Sequence, residues 1–307
     1  MEFICNELPT CPLYHPDSDL RSRSGYYPNI NDVQLQAVRD LNELLKESSI
    51  DCRDPDEIYF LKLLRFLRAR NFNVQKAYEM LVADVGWRNE SNRKHLRVET
   101  SSEVLQCDPK LIYRYFPAWI QGYDKQCRPV AWRQFGKFEI WNILKLTTME
   151  RMVRFHAWEA EQALRLMHEQ SVATGYNIET FILIIDAADW HIGLATMDAY
   201  TFIKGMATTD SDHNPERLGK MIVINAPTML SVAWRVIQGV LDDVQKAKIK
   251  ILSNQRDWLP ELLEIIDIDQ IPQQYGGNAP DPVLEDAFSS MEPPSTPPVA
   301  AENNSNP

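Results

Sequence analysis

The sequence predicts an α/β protein: an all-helical N-terminal lobe, then a mixed, largely parallel sheet flanked by helices. Three observations predict it. The apolar runs 181–186 (FILIID) and 221–225 (MIVIN) read as strands buried on both faces. Helical periods of ten or more residues separate the strands, as parallel crossovers require. Three amphipathic helical periods precede the first strand signal.

Residues 1–30 hold Pro9, Pro12, Pro16 and Pro28 among Ser, Asp and Tyr, without a sustained period, and are expected to form an extended arm. Asn31 or Asp32 caps a helix in which Val33, Ala37, Val38, Leu41, Leu44 and Leu45 keep the 3.6-residue spacing. Asp54, Pro55, Asp56 and Glu57 open a second helix, with acids at the positive end of the helix dipole and proline near its first position. Its body, 58–70, sets Ile58, Leu61, Leu64 and Leu67 on one face and Arg65, Arg68 and Arg70 around the other. Asn73 caps a third helix through Trp87, which completes a helical lobe over 31–97.

A sheet domain is expected over 105–278. Residues 118–123 and 128–135 read as strands joined by the turn Asp124-Lys125-Gln126-Cys127. Thr147 or Thr148 caps a long helix to about Ala173. After the strand 181–186, residues 197–207 read as a helix, 221–225 as a strand, 230–241 as an amphipathic helix, and a short strand starts at Lys250. Residues 280–307 carry seven Pro, five acids and no Lys or Arg, so a tail over 279–307 is expected to be disordered.

The composition excludes several classes. A net charge of −11 argues against a general nucleic-acid binder, although 58–97 holds nine Lys or Arg against three acids, a face suited to phosphates or an anionic membrane surface. The five Cys, at 5, 11, 52, 107 and 127, are odd in number and form no CxxC pair, which fits free thiols in a reducing compartment. No stretch reaches 18 apolar residues, and the N-terminus has neither a basic start nor a long apolar core. The expected location is the cytoplasm.

Enzyme signals are weak. The eleven Gly form no phosphate-cradling loop, and neither GxSxG nor HExxH occurs. Asp186, His213 and either Ser171 or Ser211 are the residues a hydrolase triad would need, but no turn supplies an oxyanion hole. Asp186 with Asp189 forms a carboxylate pair without a metal-ligand set. No metal or cofactor is expected. A binding reading has more support: Met229, Val232, Ala233, Val236, Ile237, Val240 and Leu241 form an apolar face interrupted by Gly239. Such a helix either closes over a cavity, with the glycine as a weak point, or packs conventionally and ends there.

Several ordered motifs then carry a resemblance. NPERLGKMIVINAP (214–227), KIKIL (248–252) and IPQQYGG (271–277) resemble the CRAL-TRIO family, most nearly its phosphatidylinositol/phosphatidylcholine transfer branch of the secretory pathway. LLRFLRARNFNVQKAYEML (63–81) is similar to the helical unit before that domain, and DKQCRPV (124–130) to its first hairpin.

The resemblance implies a sheet-floored lipid cavity with a helical gate around 229–241, hinged near Gly239 and Val240. It implies phosphatidylinositol headgroup contacts at Arg65, Glu216 and Lys248: Lys248 would donate to phosphate, and Glu216 would accept from inositol hydroxyls. Arg65 reads equally as a structural cation beneath Glu216 and the gate. A threonine of the family is replaced here by Gln245. The phosphatidylcholine positions depart further, falling at Trp119 or Ile120, Ala131, Ala160, His191 and Gly193. Choline recognition needs aromatic faces around the cation. The expectation is therefore one phosphatidylinositol plus a second hydrophobic ligand other than phosphatidylcholine, a sterol or another apolar molecule. The implied setting is a monomer that visits Golgi or endosomal membranes transiently, with a functional link to phosphoinositide kinases. A carrier or sensor of a small isoprenoid-like ligand is the alternative, and a hydrolase-like enzyme a more distant one.

Overall fold

The computed structural model describes residues 11–90, 96–241, 243–283 and 291–292. In the lobe, helix α1 spans Asp32–Glu47, α2 Tyr59–Ala69 and α3 Val74–Glu90. Asn31 starts α1 with a reciprocal cap, its side chain accepting from Gln34 N while the Gln34 side chain accepts from Asn31 N. The apolar stripe of α1 (Ala37, Val38, Leu41, Leu45) packs against α2 and α3.

Helix α2 differs from the amphipathic expectation. All eight residues from Phe60 to Leu67 are buried, Lys62 and Arg65 among them. Nor do Asp54 and Glu57 occupy its first turn; Ile58 is the N-cap. These acids are drawn sideways to cations: Asp54 to Arg97 at 2.8 Å, and Glu57 to Arg65 and Arg217, each at 2.8 Å. Ion pairing from other elements outcompetes the helix dipole there, because it brings a full opposite charge into contact instead of a partial one.

The chain continues through α4 (Ser101–Leu105) and α5 (Pro109–Tyr113) into strands β1 (Ala118–Tyr123) and β2 (Pro129–Gln134). Then follow α6 (Ile140–Ile143), α7 (Met149–Thr174), β3 (Phe181–Asp186), α8 (Met197–His213), β4 (Leu218–Ile224), α9 (Leu230–Ile237), α10 (Asp243–Ala247), β5 (Ile249–Ile251) and α11 (Gln255–Ile265). The sheet order is β1-β2-β3-β4-β5, with β1 antiparallel to β2 and every other pair parallel. Parallel strands added in one direction by right-handed crossovers put their connections on one side. Hence α7, α8 and α9 all face the same surface of the sheet and enclose a cavity against it.

Alternation along the strands divides the sheet into two faces. Trp132, Ile182, Ile184, Ile222 and Ile224 enter the main core with Trp258 and Leu262 of α11. Ala131, Leu183, Ile185, Met221 and Val223 floor the cavity. The IPQQYGG segment locks the core side: Tyr275 donates to Asp186 Oδ2 at 3.1 Å and stacks on Trp132. Its two glycines are sterically required. Gly276 has φ +84°, and a Cβ on Gly277 would lie 2.0 Å from the Ile271 carbonyl oxygen.

Two terminal expectations need correction. The arm from residue 11 is folded rather than extended: Tyr14, Leu20 and Tyr26 form a buried cluster around the short turn Asp19–Arg21. In the tail, Met291 is 1% exposed in the main core, and Glu292 accepts from Ser101 Oγ. Proline and acid content misled there because one apolar side chain and one cap-like contact are enough to dock a short piece. Residues 284–290 and 293–307 lie outside the described part.

Candidate functional site

The cavity has a volume of about 850 Å³. Its wall is mostly apolar, and at one polar end Arg68, Glu216 and Lys248 come together; Arg70 and Asn71 also line the cavity.

Glu216 is the pivot of that end. Its backbone is left-handed, φ +62°, an uncommon state for a residue with a Cβ, costing on the order of 1–3 kcal/mol unless its surroundings enforce it. Arg65 does the enforcing. It donates from Nη1 to the Pro215 carbonyl at 2.9 Å and from Nε and Nη2 to the two oxygens of Glu57 at 2.9 and 2.8 Å. Burial favours the neutral form of Glu57, but Arg217 and Arg65 outweigh it and hold the carboxyl far below its ordinary range.

The Glu216 carboxylate accepts from Lys248 Nζ at 3.2 Å and from the Tyr26 hydroxyl at 3.1 Å. Burial pushes its pKa up, yet the charges of Lys248 and Arg68 bring it below the ordinary value, so it is an anion at neutral pH. Lys248 is placed by its backbone, whose carbonyl accepts from Met221 N at 2.9 Å just before β5. Arg68 lies 3.9 Å from the Tyr26 ring centre, reaches the Gly25 carbonyl at 3.2 Å and pairs with Glu179 at 2.6 Å. Burial, with Glu216 nearby, pushes the Tyr26 hydroxyl up to about 12, so it stays a donor.

Three residues of LLRFLRAR therefore divide the work by helical position. Arg65 does not line the cavity; it is 1% exposed and holds the turn beneath Glu216. Arg68, three residues on, lies beside Glu216 at the polar end, and Arg70, five residues on, also lines the cavity. Glu216 and Lys248 lie there together. The side chain of Gln245 is outside the described part.

Of the second-ligand positions, Ala131 and Ala160 line the cavity. Trp119 borders it, but its ring stacks with Trp132 in the main core, because cross-strand pairing puts both on the face away from the cavity. His191 and Gly193 are exposed and absent from the wall; their neighbours Trp190, Ile192 and Leu194 line it instead. In the segment 229–241 expected to form a gate, Val232 and Val236 line the cavity although they are 52% and 58% exposed, and Met229, 54% exposed, is not part of its wall. Gly239 sits in the turn Gln238–Val240 with open space where a Cβ would be; the side chain of Val240 is outside the described part.

A further polar group went unread in the sequence. Arg133 on β2 donates to Glu159 at 2.9 Å; Glu159 lies 3.7 Å from His156 Nδ1, and His156 Nε2 is 3.0 Å from Asp210. Burial lowers the imidazolium pKa of His156, but the charge and hydrogen bond of Asp210, with Glu159 close by, more than offset this and raise it to about 9. His156 and Glu159 share α7, three residues apart, which is the sequence signal for this pair.

The hydrolase residues are dispersed. Asp186 accepts from Tyr275 and Asn225, His213 stacks on Trp87 at 3.8 Å beside Asp84, and Ser171 donates to the Met167 carbonyl. Among the described residues no three His, Cys, Asp or Glu are placed to hold a metal ion, and no helix is long and apolar enough to cross a membrane.

A helical lobe set on a helix-roofed, sheet-floored cavity, apolar within and charged at one end, defines an α/β ligand-cavity protein. The chain belongs to the CRAL-TRIO family: the CRAL/TRIO domain matches residues 113–277, and the CRAL/TRIO N-terminal domain matches residues 37–83. It is 32% identical over 270 residues to the Sec14 cytosolic factor of Schizosaccharomyces pombe, covering 87% of this chain and 88% of that protein. The SEC14 cytosolic factor of Candida glabrata is 30% identical over 283 residues, 91% of this chain and 86% of its own. The phosphatidylinositol/phosphatidylcholine transfer protein SFH9 of Arabidopsis thaliana is 30% identical over 236 residues, covering 75% of this chain but 39% of that longer protein. The crystal structure of Sfh5 shares the fold, with a TM-score of 0.65 at 15% identity over 86% of this chain and 94% of that one.

Proposed function

We propose that this protein binds one phosphatidylinositol at a time and transfers or presents it between membranes, without covalent chemistry. The observation that carries the reading is the polar end of the cavity. Lys248, Arg68 and Arg70 supply donors suited to a phosphate, and the ionised Glu216 accepts from hydroxyls, next to an apolar volume sized for acyl chains. The names of the SFH relatives specify phosphatidylinositol together with phosphatidylcholine.

Enclosure follows from energetics. Each buried CH₂ is worth about 0.8 kcal/mol, so two acyl chains represent on the order of 20 kcal/mol, and a half-exposed lipid would forfeit much of it. The segment 229–241 is the element to open and close, since Val232 and Val236 face the cavity while remaining accessible. Opening against a membrane, one exchange and closure complete the cycle. On this reading the protein works as a cytoplasmic monomer that touches Golgi or endosomal surfaces and supplies lipid to phosphoinositide kinases. The second ligand is not phosphatidylcholine, because Ala131 and Ala160 supply no aromatic face for choline.

Mass spectrometry of lipids extracted from the purified protein tests both halves. Phosphatidylinositol should dominate the phospholipid fraction; abundant phosphatidylcholine would overturn the second half. Carriage of a small hydrophobic ligand alone is the second reading, favoured by the room that Ala131, Ala160 and Ala163 leave in the cavity. It requires ligand occupancy to survive loss of Glu216 and Lys248.

A further inference from the structure

Met291 comes from the tail, yet it lines the cavity and is 1% exposed. The proposed headgroup contacts make no use of it. Its neighbour Glu292 fixes it in place: both carboxylate oxygens accept from Ser101 N at 3.2 Å, and Oε1 also accepts from Ser101 Oγ. Hydrogen bonds to a charged acceptor are among the stronger ones, so the tail is tied firmly to α4, 191 residues earlier in sequence.

The sheet shows which end of the cavity Met291 occupies. Glu216 comes just before β4, and Leu218 pairs with Phe181 at the start of β3. Arg133 pairs with Ile185, one residue before the end of β3. The polar end therefore lies at the start of the parallel strands. Arg133 lies four residues further along them, roughly 13 Å at the usual rise of a strand. Tyr113 connects Glu292 to that far end. Burial raises the pKa of its hydroxyl, Glu159 raises it further, Arg133 opposes, and Glu292 adds to the rise. Charges act on one another appreciably only at short range, so the tail meets the cavity where Arg133 and Glu159 line it.

We infer that Met291 is the end stop of the cavity: this tail residue limits the length of acyl chain that a bound lipid can bury, and so selects among lipids sharing one headgroup. The inference rests on the reading of the cavity as a lipid site and adds a chain-length limit to it. A chain that starts from a headgroup at Glu216 and Lys248 runs along the apolar wall towards Met291. Each methylene added before the stop strengthens binding about four-fold, the usual gain for one buried CH₂. A methylene added beyond it must fold back or displace Met291 against the hold of Glu292, and the gain ends. Methionine makes a compliant stop, since its unbranched thioether adapts to irregular gaps.

The test incubates the full-length protein with vesicles holding an equimolar series of phosphatidylinositols, with acyl chains graded from tetradecanoyl to docosanoyl, and a matching phosphatidylcholine series. Retained lipids are read by mass spectrometry. For the native chain, retention should rise with chain length and then fall. In Met291→Ala the fall should move to longer chains, and lipids two methylenes beyond the native limit should gain about ten-fold relative to those at the limit. An unchanged profile in folded Met291→Ala overturns the inference, and so does a native profile that rises all the way to docosanoyl. Where Met291→Ala does not fold, Glu292→Ala decides: it frees the tail without removing a core side chain, and a profile that stays at the native limit overturns the end stop. The same shift seen with phosphatidylcholine alone upholds the end stop and strikes only the phosphatidylinositol reading. Retention of neither series overturns both.

Discussion

Arg65 donates to the Pro215 carbonyl at 2.9 Å, tying the second helix of the lobe to the turn that presents Glu216. A side chain 150 residues away in sequence thus holds the left-handed backbone at the polar end of the cavity. Arg65→Met removes this bond and leaves buried Glu57 with Arg217 as its remaining close cation. The unfolding free energy should fall by about 3–5 kcal/mol in urea denaturation, the usual cost of breaking a buried pair on one side. A loss below 1 kcal/mol would remove the structural role.

On the proposed function, Lys248→Ala and Arg70→Gln should act on the headgroup rather than the fold. Each should reduce phosphatidylinositol transfer between vesicles by about ten-fold or more, since a charge-assisted bond contributes about 1.5–3 kcal/mol. Transfer at the native rate in either variant takes that residue out of the site.

Tyr26→Phe isolates the contribution of the arm. It deletes the hydroxyl that donates to Glu216 at 3.1 Å and keeps the ring under Arg68. Phosphatidylinositol affinity should change by a few-fold, about 1 kcal/mol or less, with the melting temperature nearly unchanged. A melting point lowered as far as in Arg65→Met would make the arm a stability element instead.

His156 gives the protein an alkaline signature. Its folded pKa, about 9, lies above the ordinary 6.5, so the folded state binds the proton more tightly than the unfolded chain. The stability from this group is fully present below pH 6.5, declines as pH rises, and is lost above about 9. In His156→Gln that part of the decline should disappear from urea midpoints measured across the range. A parallel decline in both proteins would refute the assignment.

Gly239 tests the gate. No atom lies within 4 Å of a Cβ built there, so Gly239→Ala fits without strain and stiffens the turn. Lipid exchange should slow several-fold while stability rises by about 0.5–1 kcal/mol. An unaltered exchange rate would place the moving element elsewhere.

Much of the fold was legible before any coordinates. The run FILIID became β3 with the same bounds, and Thr148 capped the long helix that follows the hairpin. The arm was misread because Tyr14, Leu20 and Tyr26 show no period; what orders them is a small cluster beside Arg68 and Glu179, formed by distant segments. At the candidate site, Glu216 and Lys248 were readable from family motifs, while Arg68, Arg70 and the Arg133–Asp210 group were not. Their spacing marks a helix face or a strand, but not which face looks into a cavity.

What the sequence by itself determined was the class of element at each place: the two-sided strands, the helical crossovers and the family to which they belong. Apolar period and cap chemistry are local properties, so they survive in one dimension. Which of three arginines in LLRFLRAR line the cavity and which supports the turn was decided only in the tertiary structure. Helix α2 is buried on every side, and the charges that choose among those arginines, Glu57, Glu179 and Glu216, come from separate parts of the chain. Electrostatic partnership at 3 Å is a property of packing, and pairs formed there override the pattern along the helix.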